Sequence, residues 1–248
     1  MRRTSQSPYA QAMLDYWHGK TETAYTMRRD DGFSQVVPVA PFFAGPTFNP
    51  LEQLALRRSS GRVVDVGAGV GRHALFLQEQ GCLVTAIEAE PELAAIMSER
   101  GVKEPLAKDI FALTGRQFDT LLMLMNGFGL VGKVAGAKAF FEHAQHLLSP
   151  GGQILCDSLD VRRTVNPAHL AYQEANLRNG RPVGQMRLWM EYRGQRGEPF
   201  NWLHVDFDGL CHLARKQGWS AEMLAQEESG HYLARLFYDR PIPNKSLI

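Results

Sequence analysis

The fold of this chain is decided by residues 63–71, whose sequence is VVDVGAGVG. Apolar residues on both sides of an acid predict a buried β-strand. Three glycines at alternate positions predict a sharp turn into a helix near Gly71, because glycine accepts backbone angles that other residues avoid. The first turn of such a helix has free N–H groups that face the same crevice. The stretch therefore predicts a binding site for a nucleotide-like cofactor.

The spacing of the glycines separates two classes of cofactor. The dinucleotide fingerprint is Gly-x-Gly-x-x-Gly, and its third glycine would fall at a position that holds Arg72. Here the spacing is Gly-x-Gly-x-Gly, with Asp65 two residues before the first glycine. This pattern resembles motif I of the class I methyltransferases that depend on S-adenosylmethionine (SAM). An NAD-dependent oxidoreductase remains a distant alternative.

The resemblance implies roles for the residues of this turn. In that family the acid, here Asp65, helps to hold the methionine end of SAM through its ammonium group or a bridging water. The turn itself binds the cofactor, and its residues here are Gly67, Ala68, Gly69 and Gly71. S-adenosylhomocysteine (SAH) would be the product.

A second strand with an acid at its tip follows the turn. Helical residues run from about Arg72 to Gln80, and the apolar run Cys82–Ile87 predicts a buried strand. Glu88 ends this strand, next to Ala89, and can accept hydrogen bonds from both ribose hydroxyls. The other interpretation of Glu88 is a solvated surface acid. Pro91 then begins a helix to about Arg100.

Two later strand tips extend the resemblance. Asp109 and Ile110 resemble the family's pair in which the acid accepts from the adenine amino group and the apolar residue packs on the ring. The run Phe118–Met125 predicts a central strand. In related enzymes the residues at its tip, here Met125 and Asn126, border the transferred methyl group. Asn126 either orients a substrate through its amide or caps the following turn.

The order of these elements predicts the fold class. Helical residues from Ala135 to Leu148 end at a Ser-Pro-Gly-Gly sequence before the predicted strand Gln153–Asp157. This order resembles the Rossmann-like α/β fold of class I methyltransferases, with a seven-stranded, mostly parallel sheet. The wider chain also resembles an uncharacterised bacterial group of small-molecule methyltransferases. The stretches that carry this resemblance are Tyr16–Gly19, Arg29–Gly32, the tip at Asn126 and Asp157–Asp160.

Residues 1–60 are expected to form an N-terminal lid over the cofactor. Tyr9–His18 can form an amphipathic helix, a polar stretch continues to Phe33, and four prolines then break up regular structure. The methyltransferase domain would occupy residues 61–248. Within the lid, Tyr16 and Arg29 are candidate substrate-binding residues, since a guanidinium suits an acidic group.

Residues 159–205 are expected to be inserted after the fifth strand. The segment is polar at first, and then Gln185–Tyr192 and Phe200–Val205 predict a β-hairpin. Tyr192 and Trp202 are candidate substrate-binding residues in an aromatic pocket. A helix capped by Asp206 and a final antiparallel pair of strands complete the predicted sheet.

Composition limits the class of protein. The net charge of +1 gives no argument for a nucleic-acid or membrane partner. The longest apolar run is too short to cross a bilayer, and the N-terminus has no apolar signal segment. Three cysteines show no metal-binding spacing, so no metal is expected, and a reducing cytoplasm is the expected compartment. The oligomeric state stays open.

The expected chemistry is an in-line displacement on the methyl group of SAM. The protein must hold a nucleophile, oxygen or nitrogen, close to that methyl group, and a protonated nucleophile also needs a base. Candidate catalytic residues are Asn126, Asp157 and His231. A small molecule is the expected acceptor. The alternatives are a peptide or protein acceptor and a SAM-binding module without catalysis.

Overall fold

The structure is a computed structural model that describes residues 6–238. The strands are β1 (Ala24–Arg29), β2 (Ser34–Pro38), β3 (Arg62–Val66), β4 (Leu83–Glu88), β5 (Pro105–Ala107), β6 (Phe118–Met123), β7 (Leu148–Leu159), β8 (Gln185–Tyr192), β9 (Gln195–Arg196), β10 (Phe200–Leu203), β11 (Trp219–Gln226) and β12 (His231–Tyr238). The helices are α1 (Pro8–Trp17), α2 (Ala40–Phe43), α3 (Pro50–Arg58), α4 (Arg72–Glu79), α5 (Pro91–Glu99), α6 (Val134–Leu147), α7 (Pro167–Arg178) and α8 (Phe207–Arg215).

The main sheet confirms the predicted seven-stranded fold. Its strand order is β11-β12-β7-β6-β3-β4-β5, and the five strands from β7 to β5 in this order are parallel. The strands β11 and β12 pair antiparallel, and β12 joins the sheet along β7. Val63 and Val64 in β3 are fully buried, as expected for a central parallel strand with helices on both faces.

The carboxyl ends of the parallel strands form the edge where ligands bind in this class of fold. The connection after β3 leads to β4 on one side, whereas β6 lies on its other side, so the crevice opens at this reversal of strand order. Helices α3, α4 and α5 pack on one face of the sheet, and α6 and α8 pack on the other. Helix α3 is capped by Asn49, and the predicted helix α8 is present with its cap from Asp206.

A second sheet, with strand order β10-β8-β1-β2 and β9 paired to β8, was only partly predicted. The inserted strands β8 and β10 do pair antiparallel, as expected for a hairpin. However, β8 also pairs with β1, so the insertion and the N-terminal segment share one sheet. The polar stretch up to Phe33 contains β1, which was not predicted and whose residues Tyr25 and Arg29 are buried.

Helix α1 joins the second sheet to the main sheet. It begins after Ser7, whose hydroxyl accepts a hydrogen bond from Ala10 N at 3.0 Å. Met13 is fully buried in a cluster that also contains Tyr25 of β1 and Leu93 of α5. Helix α7, which lies in the inserted segment, was not predicted from the sequence. In residues 6–238 no helix is long and apolar enough to cross a membrane.

Candidate active site

A cavity of about 1620 Å³ lies between the carboxyl ends of the parallel strands and the second sheet. Pockets for one small ligand typically measure about 300–1,000 Å³. The cavity is therefore large enough for a cofactor and a second molecule. Every residue predicted to bind the cofactor lines it, with one exception, Gly71, which lies just behind the wall.

The glycine turn after β3 forms one wall of the cavity. Gly67 has φ +68°, and a Cβ atom there would lie 2.6 Å from Leu130 Cδ1. Gly71 has φ +82°, and a Cβ atom there would lie 2.7 Å from Val102 Cγ2. The backbone angle disfavours a side chain at both positions, and at Gly71 the buried Val102 also leaves little space. Between them, Ala68 N donates to Ile87 O at 3.0 Å, which ties the turn to the end of β4.

Asp65 places an unpaired carboxylate oxygen beside this turn. Its side chain is buried, with 2% of the residue exposed, and Oδ2 has no hydrogen-bond partner. Burial raises the pKa of this carboxyl, while the nearby His73 opposes the shift. A buried carboxylate oxygen without a donor costs free energy until a donor arrives. The ammonium group of a methionine moiety supplies such a donor, so the residue fits the role that the family resemblance implies.

Glu88 lies at the end of β4 and contacts both neighbouring loops. Its Oε2 accepts from Gly69 N at 3.0 Å, and its Oε1 accepts from Ala89 N at 2.8 Å. Burial raises the pKa of this carboxyl, and the backbone N–H donors oppose the shift. The side chain is therefore fixed at the cavity wall rather than solvated at the surface.

Asp109 and Ile110 lie farther along the same wall. Asp109 Oδ1 accepts from Phe111 N at 2.8 Å and caps a short 3₁₀ helix, Ile110–Ala112. Ile110 is partly buried against the core. Phe111 also lines the cavity and is 48% exposed, and its ring lies 5.5 Å from that of His143.

The tip after β6 holds two residues in an unusual backbone conformation. Met125 and Asn126 both have φ +62°, which is uncommon for residues other than glycine and concentrates at functional sites. Asn126 does not cap the 3₁₀ helix that follows, and its Oδ1 is buried without a partner. Of the two interpretations of Asn126, this geometry favours the one in which its amide faces a ligand.

Asp157 holds this tip in place. Its Oδ1 accepts from Gly127 N at 2.9 Å. Burial raises the pKa of Asp157 to about 6, although the N–H donors of the tip and His231 oppose the shift. His231 also lines the cavity, and its Nδ1 lies 3.1 Å from Ser229 Oγ. The three candidate catalytic residues therefore lie around one end of the cavity.

The four candidate substrate-binding residues divide into two pairs. Trp202 and Arg29 line the cavity. The guanidinium of Arg29 is already occupied, because it donates to both oxygens of Asp31 at 2.8 and 2.7 Å. Tyr16 and Tyr192 are not lining residues. The Tyr16 ring stacks on another aromatic ring at 4.7 Å, and the Tyr192 hydroxyl donates to a carboxylate on α1 at 2.6 Å.

Two further lining residues can contribute to the site. The hydroxyl of Tyr9 in α1 lies 3.8 Å from the position that a Cβ atom on Gly69 would take, so it faces the cofactor turn. His204 follows β10, and its Nδ1 is buried without a partner. His204 continues the alternation of Phe200 and Trp202 on β10. Among residues 6–238 no group of His, Cys, Asp or Glu side chains is arranged to hold a metal ion.

Comparisons with known proteins identify the family. A family model described as a methyltransferase domain matches residues 47–223, which is more than half of the chain. The crystal structure of a SAM-dependent methyltransferase from Bacteroides fragilis, in complex with SAH, is 33% identical with a TM-score of 0.83. The match covers 94% of this chain and 95% of that one.

Curated relatives match over shorter segments. A ubiquinone biosynthesis O-methyltransferase of Xylella fastidiosa is 28% identical over 110 residues, which are 41% of this chain and 43% of the relative. A demethylmenaquinone methyltransferase of Tropheryma whipplei is 28% identical over 116 residues, which are 44% of this chain and 47% of the relative. The matches thus span less than half the length of these relatives. Together with the fold and the glycine turn, the family match shows that this chain belongs to the class I SAM-dependent methyltransferases.

Proposed function

We propose that this protein transfers the methyl group of SAM to an oxygen or nitrogen nucleophile of a small molecule and releases SAH. The observation that carries the proposal is the pair of buried, unpaired oxygens in one cavity. Asp65 Oδ2 lies at the cofactor turn, and Asn126 Oδ1 lies at the tip after β6. Each needs a hydrogen-bond donor, and two bound molecules would supply them.

Each wall of the cavity has a role in this proposal. SAM supplies an electrophilic methyl group on a sulfonium. Asp65 and the glycine turn would hold its methionine end, Glu88 its ribose, and Asp109 with Ile110 its adenine. The strained tip at Met125 and Asn126 would border the transferred methyl group. The protein's main contribution is then to place the acceptor in line with the bond that breaks.

A small acceptor is favoured over a peptide because the second sheet supplies side chains to the same cavity as the glycine turn. Side chains of β1, β8 and β10 line the cavity on the side opposite the cofactor turn. A peptide acceptor would need an open groove along these strands. The names of the curated relatives refer to quinone biosynthesis and thus to small molecules. The net charge of +1 gives no support for a nucleic-acid acceptor.

The proposal includes a domain division and a location. Residues 1–60 would serve as a lid, and residues 61–248, with the inserted segment 159–205, as the methyltransferase domain. We expect the protein in the cytoplasm, because Cys82, Cys156 and Cys211 are free thiols, which suits a reducing compartment.

Calorimetric titration with SAM, with SAH and with NADH tests the cofactor assignment. We expect micromolar binding of SAM and SAH and no heat with NADH. A second assay follows tritium transfer from methyl-labelled SAM to a panel of phenols, alcohols, amines and short peptides. Binding of NADH in place of SAM would contradict the proposal. Label transfer to peptides alone would replace the small acceptor by a peptide, and SAM binding without transfer to any acceptor would favour a module without catalysis.

A further inference from the structure

One face of the second sheet forms a mostly apolar wall of the cavity. Side chains alternate across a strand, so every second residue points to the same face. On β8 the lining residues are Met186, Leu188 and Met190. On β10 the lining residues are Phe200 and Trp202. Leu203, which follows Trp202, points to the opposite face and is 1% exposed. Aromatic and thioether groups of this kind favour a flat, apolar ligand.

Trp202 is fixed within this wall. A Cβ atom on Gly129 would lie 2.0 Å from Trp202 Nε1, so the indole rests directly on the backbone after the β6 tip. Phe200 contacts the indole edge-on, with ring centroids 6.3 Å apart. The wall therefore offers a rigid aromatic surface near the end of the cavity where the methyl group is expected.

His204 continues the same face and adds a polar atom to it. Its backbone N donates to Gly184 O at 2.9 Å, and the next residue, Val205, donates to Ser158 Oγ on β7 at 3.1 Å. The backbone is thus attached to both sheets, which fixes the position of the imidazole. Nδ1 is buried without a partner, although the residue lines the cavity.

The charge at this end of the cavity favours a neutral ligand group. Burial and the neighbouring His231 lower the pKa of His204 to about 4, so the imidazole is neutral at physiological pH. The carboxylate of Asp157 already accepts from Gly127 N. A hydroxyl can hydrogen-bond a neutral imidazole in either tautomer, because it can both donate and accept.

We propose that His204 is a specificity-determining residue that hydrogen-bonds the hydroxyl of a phenol-type acceptor held against Phe200 and Trp202. This inference rests on the proposed methyl transfer and narrows its acceptor class to ring hydroxyls. The hydroxyl oxygen would form the bond to the methyl carbon as the methyl–sulfur bond of SAM breaks, with SAH as the leaving group and the hydroxyl proton released to solvent, so His204 orients the nucleophile.

The test measures binding of three probes to the complex of the protein with SAH: p-cresol, its methyl ether and benzylamine. Ligand-observed NMR or calorimetry gives the dissociation constants. We expect p-cresol to bind about tenfold tighter than the ether, the effect of one buried hydrogen bond. Benzylamine should bind more weakly than p-cresol. This comparison uses the unchanged protein and depends on no variant.

Two substitutions separate a hydrogen bond from packing. His204→Phe keeps a ring and removes the polar atom, so the preference for p-cresol over its ether should disappear. His204→Asn removes the ring and keeps a polar group near Nδ1, so most of the preference should remain. The matched control is His212→Phe on the exposed side of α8, which should change nothing. The affinity for SAH should be unchanged in all three variants.

Several outcomes would overturn the inference. His204→Phe with the full preference for p-cresol, or His204→Asn with none, would assign His204 to packing. Preferred binding of benzylamine would indicate a cationic acceptor, and failure of every probe to bind the SAH complex would exclude this class of ring. Failure of the unchanged protein to bind SAH would instead contradict the proposed function itself.

Discussion

Removal of the Glu88 carboxylate should weaken cofactor binding strongly. The side chain reaches Gly69 N at 3.0 Å and Ala89 N at 2.8 Å, which fixes its oxygens at the cavity wall where a ribose would lie. A hydrogen bond to a charged group contributes about 1.5–3 kcal/mol. If Glu88→Ala loses the equivalent of one such bond, the dissociation constant of SAH rises by about 10- to 150-fold.

The assay is calorimetric titration with SAH for the unchanged protein, Glu88→Ala and Glu88→Gln. The amide of Glu88→Gln keeps one acceptor oxygen and loses the charge, so its loss of affinity should lie between the other two. Burial raises the pKa of Glu88. Ligand hydroxyls bind its ionised form, so the affinity of the unchanged protein should fall as the pH is lowered towards that raised pKa. Glu88→Ala should lack this part of the pH dependence.

Glu79→Ala is the matched control, because Glu79 is exposed at the end of α4, outside the cavity. Its SAH affinity should equal that of the unchanged protein. A Glu88→Ala variant that melts normally and binds SAH within about twofold of the unchanged protein would refute the ribose assignment, since one lost charged bond corresponds to at least about tenfold.

Three further predictions concern the rest of the cavity. The pKa of Asp157 is raised from 3.8 to about 6, so its ionisation destabilises the fold as the pH rises through 6. By urea denaturation, the free energy of unfolding of Asp157→Asn should therefore exceed that of the unchanged protein by about 1–3 kcal/mol at pH 8 and show no gain near pH 3.5. An equal gain at both pH values would contradict this reasoning. Arg29→Ala, which removes a buried guanidinium paired with Asp31, should lower the free energy of unfolding by about 2–4 kcal/mol, and an unchanged urea midpoint would count against it. Tyr9→Phe should weaken SAH binding about 3- to 10-fold by calorimetry without a change in melting temperature, whereas full affinity would show that the Tyr9 hydroxyl does not contact the cofactor.

The grouping of the predicted cofactor residues around one cavity was predictable because its signals are local. The turn at Gly67 and the tip acid Glu88 belong to one β-α-β unit, whose spacing brings them together in any fold of this class. The hydrogen bond from Gly69 N to Glu88 confirms that they meet. The same locality explains the correct prediction of the final antiparallel pair, β11 and β12.

The acceptor side was less predictable because it depends on contacts between distant segments. Strand β1 is short, and its polar residues hide the alternation of Tyr25 and Met27 in the sequence. The strand is recognisable only from its pairing with β8. The helix α1 was predicted, but the face that meets the cofactor turn is set by packing against α5. For this reason Tyr16 was chosen from the sequence, whereas Tyr9 is the residue that lines the cavity.

The pairing of β1 with β8 has a consequence for biosynthesis. Arg28 and Glu191, which form an ion pair across these strands, are 163 positions apart in the chain. At translation rates of about 5–20 residues per second, roughly 10–30 s would pass between the synthesis of β1 and that of its partner strand β8. Throughout that interval its edge has open backbone groups that could pair with other chains. Charged residues on an edge oppose such pairing. The adjacent arginines at the end of β1 would therefore protect the nascent protein from aggregation before β8 is synthesised.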